Sequence, residues 1–176
     1  MKQLKNMLML GILLSAMQVS AQTDKATTAR LVEEQRLVFN ATSAMPLASA
    51  DVTAVLNKMQ GAQGAGNIQL SGGQYDLRLT KDSVTAFLPY YGRAYVANMN
   101  TNESGIRFNS KKFNYKSDKK KKGGWVIIIT PKDTRDVQSM TLSVSENGYG
   151  MLNVNSNNRQ SITFNGYISE PKALSK

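Results

Sequence analysis

Tyr90, Tyr91, Arg93 and Tyr95 are the densest group of side chains in the sequence that could do chemistry. Aromatic faces stack on sugars and bases, and a guanidinium offers carboxylates a planar fork of donors. They read as a ligand-binding surface. They also fit a corner after Pro89, with tyrosines packed on one face and hydrogen-bonded through their hydroxyls at a sheet margin. A second candidate is the basic run Lys119, Lys120, Lys121 and Lys122, with Lys111, Lys112 and Lys116 nearby. It suits anionic lipid or acidic glycan. Without interleaved aromatics or a nucleic-acid-binding motif it argues against nucleic acid. The same run also reads as a solvated hairpin tip that keeps a sheet edge from pairing with a neighbour. Asp133, Arg135, Asp136 and Arg159 form a third group, read as an ion-pair network or solvated loop. Their loop lacks the ligand density of a calcium site.

Two absences narrow the chemistry. The 176 residues contain no histidine and no cysteine. That removes the usual general base at neutral pH, Ser–His and Cys–His pairs, and His- or Cys-ligated metal. No nucleophile elbow or phosphate-binding glycine loop occurs. Ser117 and Lys120 match a Ser-x-x-Lys spacing, but within a charged loop rather than a helix. The expectation is a non-catalytic protein with no cofactor and no metal site. The alternative from another class is a glycan-acting enzyme using paired carboxylates, which need to face each other ~5–9.5 Å apart.

The first residues bear on location. Lys2 and Lys5 precede an apolar stretch over 7–17, and Val19, Ser20 and Ala21 place small residues before a cut. This pattern predicts a signal peptide over 1–21. The apolar stretch falls short of the ~20 residues that span a bilayer, so no transmembrane segment is expected after cleavage. Lacking cysteine, the chain cannot carry a lipoprotein anchor. The reading is export to the periplasm or cell surface. Without Lys2 and Lys5 the 22 basic residues become 20 against 12 acidic, a net charge of +8. Such a balance attracts acidic partners or simply keeps an envelope protein soluble.

The elements that would position these groups follow from periodicity. Residues 22–35 are helix-permissive, with Thr23 or Asp24 as cap and Leu31 and Val32 as an apolar stripe. A single β-rich domain is expected over 36–170, with a tail over 171–176. Val52, Val55, Leu56 and Met59 fall on one helical face, so a short helix over 50–60 is expected within the long connection 44–73. Strict alternation then recurs: Tyr75, Leu77, Leu79; Val84, Ala86, Leu88; Ile106, Phe108; Phe113, Tyr115; Met140, Leu142, Val144; Leu152, Val154; Ile162, Phe164. A further strand is expected over 94–99. Asn147-Gly148 signals a type I′ hairpin, which needs φ > 0 at both residues. Trp125, Ile127 and Ile129 on one side, with Val126 and Ile128 on the other, suggest a central strand covered on both faces. The fold expected is mainly β: an antiparallel meander of about nine strands, forming a barrel or a two-layer sandwich, with a short N-terminal helix.

Several segments in order carry a resemblance. These are 75–79, 88–95, 122–125, 131–133, 142–148 and 158–168, which include Leu88-Pro89-Tyr90-Tyr91-Gly92-Arg93 and Phe164-Asn165-Gly166-Tyr167-Ile168. Over 36–168 the chain resembles the family of domains of unknown function DUF4251, exported proteins of bacterial envelopes. The resemblance implies export and a β-rich fold, and brings no activity, ligand or site residues. The leading expectation is an exported non-catalytic domain that binds a small or extended ligand, or another envelope protein. Attachment to an anionic surface through the lysines is a further alternative.

Overall fold

The computed structural model describes residues 23–47, 58, 62–63, 66–71, 74–95 and 105–171. The signal segment, the helix expected over 50–60 apart from residue 58, and positions 96–99 of the strand expected over 94–99 lie outside the described residues.

Helix α1, Lys25–Glu33, begins where the Asp24 carboxylate accepts from the Ala26 and Thr27 amides at 2.9 and 3.0 Å. It ends at Gln35, a non-glycine residue at φ 53°. Thr28, Leu31 and Val32 form its buried side. The strands are β1 (Leu37–Pro46), β2 (Ala62–Gln63), β3 (Asn67–Gln69), β4 (Asp76–Leu79), β5 (Val84–Leu88), β6 (Ile106–Ser110), β7 (Phe113–Lys119), β8 (Trp125–Pro131), β9 (Val137–Val144), β10 (Tyr149–Ser156) and β11 (Ile162–Ser169). The main ladder runs β6-β5-β4-β1-β11-β10-β9-β8-β7, antiparallel at every step, and curls into a nearly closed barrel. Of the two architectures expected, the barrel is the one formed.

The closure has a specific device. With antiparallel pairing at each step of this path, β6 and β7 at its two ends run in the same direction. Only Lys111 and Lys112 separate them, and they form no ladder with each other. They are two halves of one bent strand: the first half pairs with β5, the second with β8. The bend is held by Asp133, whose Oδ2 accepts from the Lys111 and Lys112 amides at 3.0 and 3.3 Å. The antiparallel meander expected from alternation implied a hairpin between Phe108 and Phe113. A turn around Ser110-Lys111 looks the same whether the chain reverses or merely kinks.

Part of the long connection joins the sheet. Beyond the bulge at Ala41/Ser43, β3 pairs with β1 at Ser43 and Ala44, continuing the side that β4 occupies at positions 37–40. α1 covers one end of the barrel. The Tyr115 hydroxyl donates to the Val32 carbonyl (3.1 Å), Thr23 donates to the Ile168 carbonyl (2.9 Å), and Lys25 pairs with Glu146 (2.8 Å). Arg30 bridges Glu34 and Glu170.

The interior is full. Leu37, Phe39, Leu77, Leu79, Ile127, Ile129, Met140, Leu142, Leu152 and Phe164 all have zero exposure, and Leu31 and Val32 of α1 join the same cluster. Two expectations are corrected. β8 is not covered on both sides: Trp125, Ile127 and Ile129 face inward, while Ile128 is 36% exposed on the outer wall. A β-branched residue fits an exposed pleat as well as a buried one, so its type did not reveal the face. The Asn147-Gly148 turn is not type I′, since only Gly148 has positive φ, at 79°. The Gly148 amide donates to Ser145 O (3.1 Å) and Ser145 N–H to Tyr149 O (2.8 Å), the pattern of a type I turn with a left-handed glycine bulge. The β7–β8 tip repeats it, with Gly123 N–H on Lys120 O (3.1 Å) and Lys120 N–H on Gly124 O (2.9 Å).

Candidate functional site

The corner after β5 lies at the end of the barrel opposite α1. Residues 93–95 run antiparallel to 158–160 in the β10–β11 turn. Ala94 bridges Arg159, Gln160 N–H donates to Arg93 O (3.0 Å), and Tyr95 N–H donates to Asn158 O (2.8 Å). The Tyr90 hydroxyl lies 2.9 Å from Arg93 O and 3.0 Å from Gln160 O, and shares its proton between them. The Arg159 guanidinium sits 5.2 Å from the Tyr90 ring centroid and donates to Gly105 O (3.0 Å); its side chain is only 9% exposed. Burial pushes the Tyr90 hydroxyl above its ordinary value, opposed in part by Arg159. It therefore stays protonated and donating at neutral pH. Tyr90 and Arg159 act as a strut tying the β5–β6 connection to the β10–β11 turn.

The other three residues of the group differ. Tyr91 packs against the core, and burial, then the nearby Tyr75, raises its pKa. Arg93 is exposed, and Tyr95 is 64% exposed. The fold thus separates one compact motif into a strut and an outward face.

Next to this corner lies a group that sequence reasoning did not single out. Phe87 sits on the outer wall of β5, because Val84, Ala86 and Leu88 take the inner positions. Its ring stacks on Tyr75 with centroids 5.9 Å apart and planes 13° apart. The register places Arg107 opposite Phe87, and its guanidinium lies 4.5 Å from the ring centroid. Asp76, also opposite Phe87, is held by Arg78 through contacts of 2.9 and 2.8 Å. The usable signal was Phe87 standing out of phase in an alternating strand. Aromatic face and cation together can take a sugar ring that carries a carboxylate.

The basic residues gather along the bent strand. Lys111 and Lys112 occupy the bend, Lys116 pairs with Asp118 (2.8 Å), and Lys119 Nζ lies 5.9 Å from the Trp125 ring centroid. Lys120, Lys121 and Lys122 form the exposed tip that follows. The acidic-basic group expected around Asp133 divides. Asp133 serves the bend, while Asp136 Oδ2 lies 3.9 Å from Arg159.

With the fold and this geometry in place, comparison with known proteins identifies the family. The family model described as "Domain of unknown function (DUF4251)" matches residues 20–168. The chain belongs to this family. No curated protein matches it. Among solved structures it is similar to a DUF4251 family protein from Bacteroides eggerthii DSM 20697, with a TM-score of 0.53 and 10% identity over 83% of this chain and 87% of that one. At that identity the likeness concerns the fold alone.

Among the described residues, the DUF4251 barrel holds no cluster of three or more acidic side chains suited to a metal, and no helix long and apolar enough to cross a membrane. Its carboxylates act mainly as ties: Asp24 caps α1, Asp76 holds Arg78, Asp118 holds Lys116, and Glu146 holds Lys25.

Proposed function

We propose that this DUF4251 protein is an exported, non-catalytic barrel that binds an extended ligand on its outer wall, beside the rim opposite α1. The observation that supports this most is the filled interior. The inward positions are occupied by apolar side chains with little or no exposure, which leaves no room for a lipocalin-like cavity for a small ligand. Binding then falls to the outside, where Phe87, Tyr75 and Arg107 form an aromatic platform with a cation, next to Arg93 and Tyr95. That chemistry fits an acidic oligosaccharide: ring faces on the aromatics, carboxylate on the guanidinium. The N-terminal pattern supports export. The engagement of carboxylates as caps and ion pairs supports a binding role over a carboxylate enzyme.

Calorimetry with oligogalacturonate as probe and neutral malto-oligosaccharide as control tests the reading. Tighter binding of the acidic probe is expected, weakened about tenfold in Phe87→Ala and in Arg107→Ala, consistent with ~1–3 kcal/mol per stacked ring or charged hydrogen bond. Equal affinity for both sugars, or no loss in either variant, contradicts it.

A further inference from the structure

The bent strand leaves β7 with one partner. Among the described residues β7 pairs only with β8. The ladder phase says which groups are left over. Lys132 N–H bonds to Lys112 O at 2.7 Å, and Lys120 N–H bonds to Gly124 O at 2.9 Å. Residues of the same phase as 112 and 120 therefore bond to β8. The alternate N–H and C=O groups of Tyr115, Ser117 and Lys119 point away from it. An exposed edge of this kind is a template for another strand.

Charge narrows what can add there. Residues 111–122 contain seven lysines and one acidic residue, Asp118. A second copy of this edge is disfavoured, because antiparallel self-pairing brings the Lys119–Lys122 run of one copy against the bend lysines of the other. Like charges placed across a strand pair repel. A neutral strand gains nothing from the lysines. An acidic one gains both backbone bonds and ion pairs.

We propose that the β7 edge is a docking site for an extended acidic polypeptide segment, which adds to the barrel as a strand through the N–H and C=O groups of Tyr115, Ser117 and Lys119. The lysines set specificity: they repel like edges and admit acidic ones. This site uses residues 115–119 in the second half of the bent strand, whereas Phe87 lies on β5 and Arg107 in the first half, and it does not rest on the rim reading.

The test uses the folded protein and a blocked octapeptide alternating Glu and Thr, with a Lys/Thr octapeptide, heparin and phosphatidylglycerol vesicles as comparison arms. Amide hydrogen exchange is the readout. The acidic peptide is expected to slow exchange at Tyr115, Ser117 and Lys119 at least tenfold, with no effect from the Lys/Thr peptide. Ser117→Pro removes one outward N–H without removing a β8 ladder bond, a position where an edge strand tolerates proline. It is expected to weaken the acidic peptide at least tenfold. Absence of binding, or binding that leaves the three amides unprotected, overturns the proposal, and both are read on the unmodified protein. Heparin or vesicles protecting the same amides as well as the peptide, or protection growing with protein concentration alone, would assign the edge to bulk charge or to a second copy and overturn it too.

Discussion

Replacing Gly166 by alanine probes the tightest crossing in the barrel. β1 bulges between Ala41 and Ser43 and folds over Gly166 of β11. A methyl group there would lie on the Asn40 carbonyl oxygen, 2.9 Å from its carbon and 3.1 Å from the Ala41 Cα. Ordinary carbon–oxygen contacts begin near ~3.3 Å, so backbone must move rather than a side chain. β1 is bonded on both sides, to β11 and to β4, and carries the fully buried Phe39. Moving it disturbs two ladders and the core together. Overpacking of a well-packed site costs ~1–3 kcal/mol, and a rigid neighbour puts this one near ~3 kcal/mol. With a urea m-value of ~2 kcal/mol/M, the unfolding midpoint falls by about 1.5 M. Gly123→Ala is the control. Its φ of 89° also disfavours a side chain, but the methyl would meet the Glu146 side chain, which can swing away. That change costs ~1–2 kcal/mol from left-handed backbone alone, or about 0.5–1 M. Urea titration followed by Trp125 fluorescence reads both. A Gly166→Ala midpoint equal to or above that of Gly123→Ala would refute the crossing geometry.

Further predictions concern the strut, a second glycine and the bend. Tyr90→Phe removes the hydroxyl shared by Arg93 O and Gln160 O and is expected to cost about 1 kcal/mol in urea unfolding, with oligogalacturonate affinity unchanged. Arg159→Ala removes the guanidinium from Gly105 O and the Tyr90 ring; about 1.5–3 kcal/mol is expected, with faster amide exchange at Tyr95 and Gln160. Gly124→Ala places a methyl on the Val144 carbonyl oxygen and 3.3 Å from the Ser145 Cα, so its unfolding midpoint should fall below that of Gly123→Ala. Asp133 is held below the ordinary carboxylate value of 3.8, chiefly by the Ser110 hydroxyl and then by the Lys111 amide. A depressed folded pKa means its contribution is complete above the unfolded value and is lost as pH falls through the folded one. In an NMR titration the Lys111 and Lys112 amide shifts should move with a midpoint below 3.8; a midpoint at or above it would contradict the cap.

Much of the barrel was legible because alternation is a local signal. Leu77 and Leu79, Met140 and Leu142, and Leu152 and Val154 all face inward as their spacing implied. Asp24 capped α1 where a carboxylate before a helix-permissive run predicted a start. What failed depended on tertiary pairing. Ile128 looks like a core residue until its neighbours leave its face open. The joint at Lys111-Lys112 resembles a hairpin because the pairing partners of each half, β5 and β8, lie far away in sequence. Tyr90 fits the packed-corner alternative rather than the binding-surface one: its hydroxyl is claimed by two carbonyls, one of them Gln160 O, 70 residues away and so not nameable from local spacing. Phe87 and Arg107 were overlooked because only the β5–β6 register brings the guanidinium to the ring.

We propose a solid barrel that meets its ligand on the outside. Methyl- and amide-detected NMR of the protein titrated with oligogalacturonate tests it most directly. Shifts are expected only at the amides of Tyr75, Phe87, Arg107 and their exposed neighbours, with the methyl signals of Leu37, Leu79, Ile127 and Ile129 unmoved. Saturable shifts of those interior methyls, with Phe87 and Arg107 silent, would contradict it.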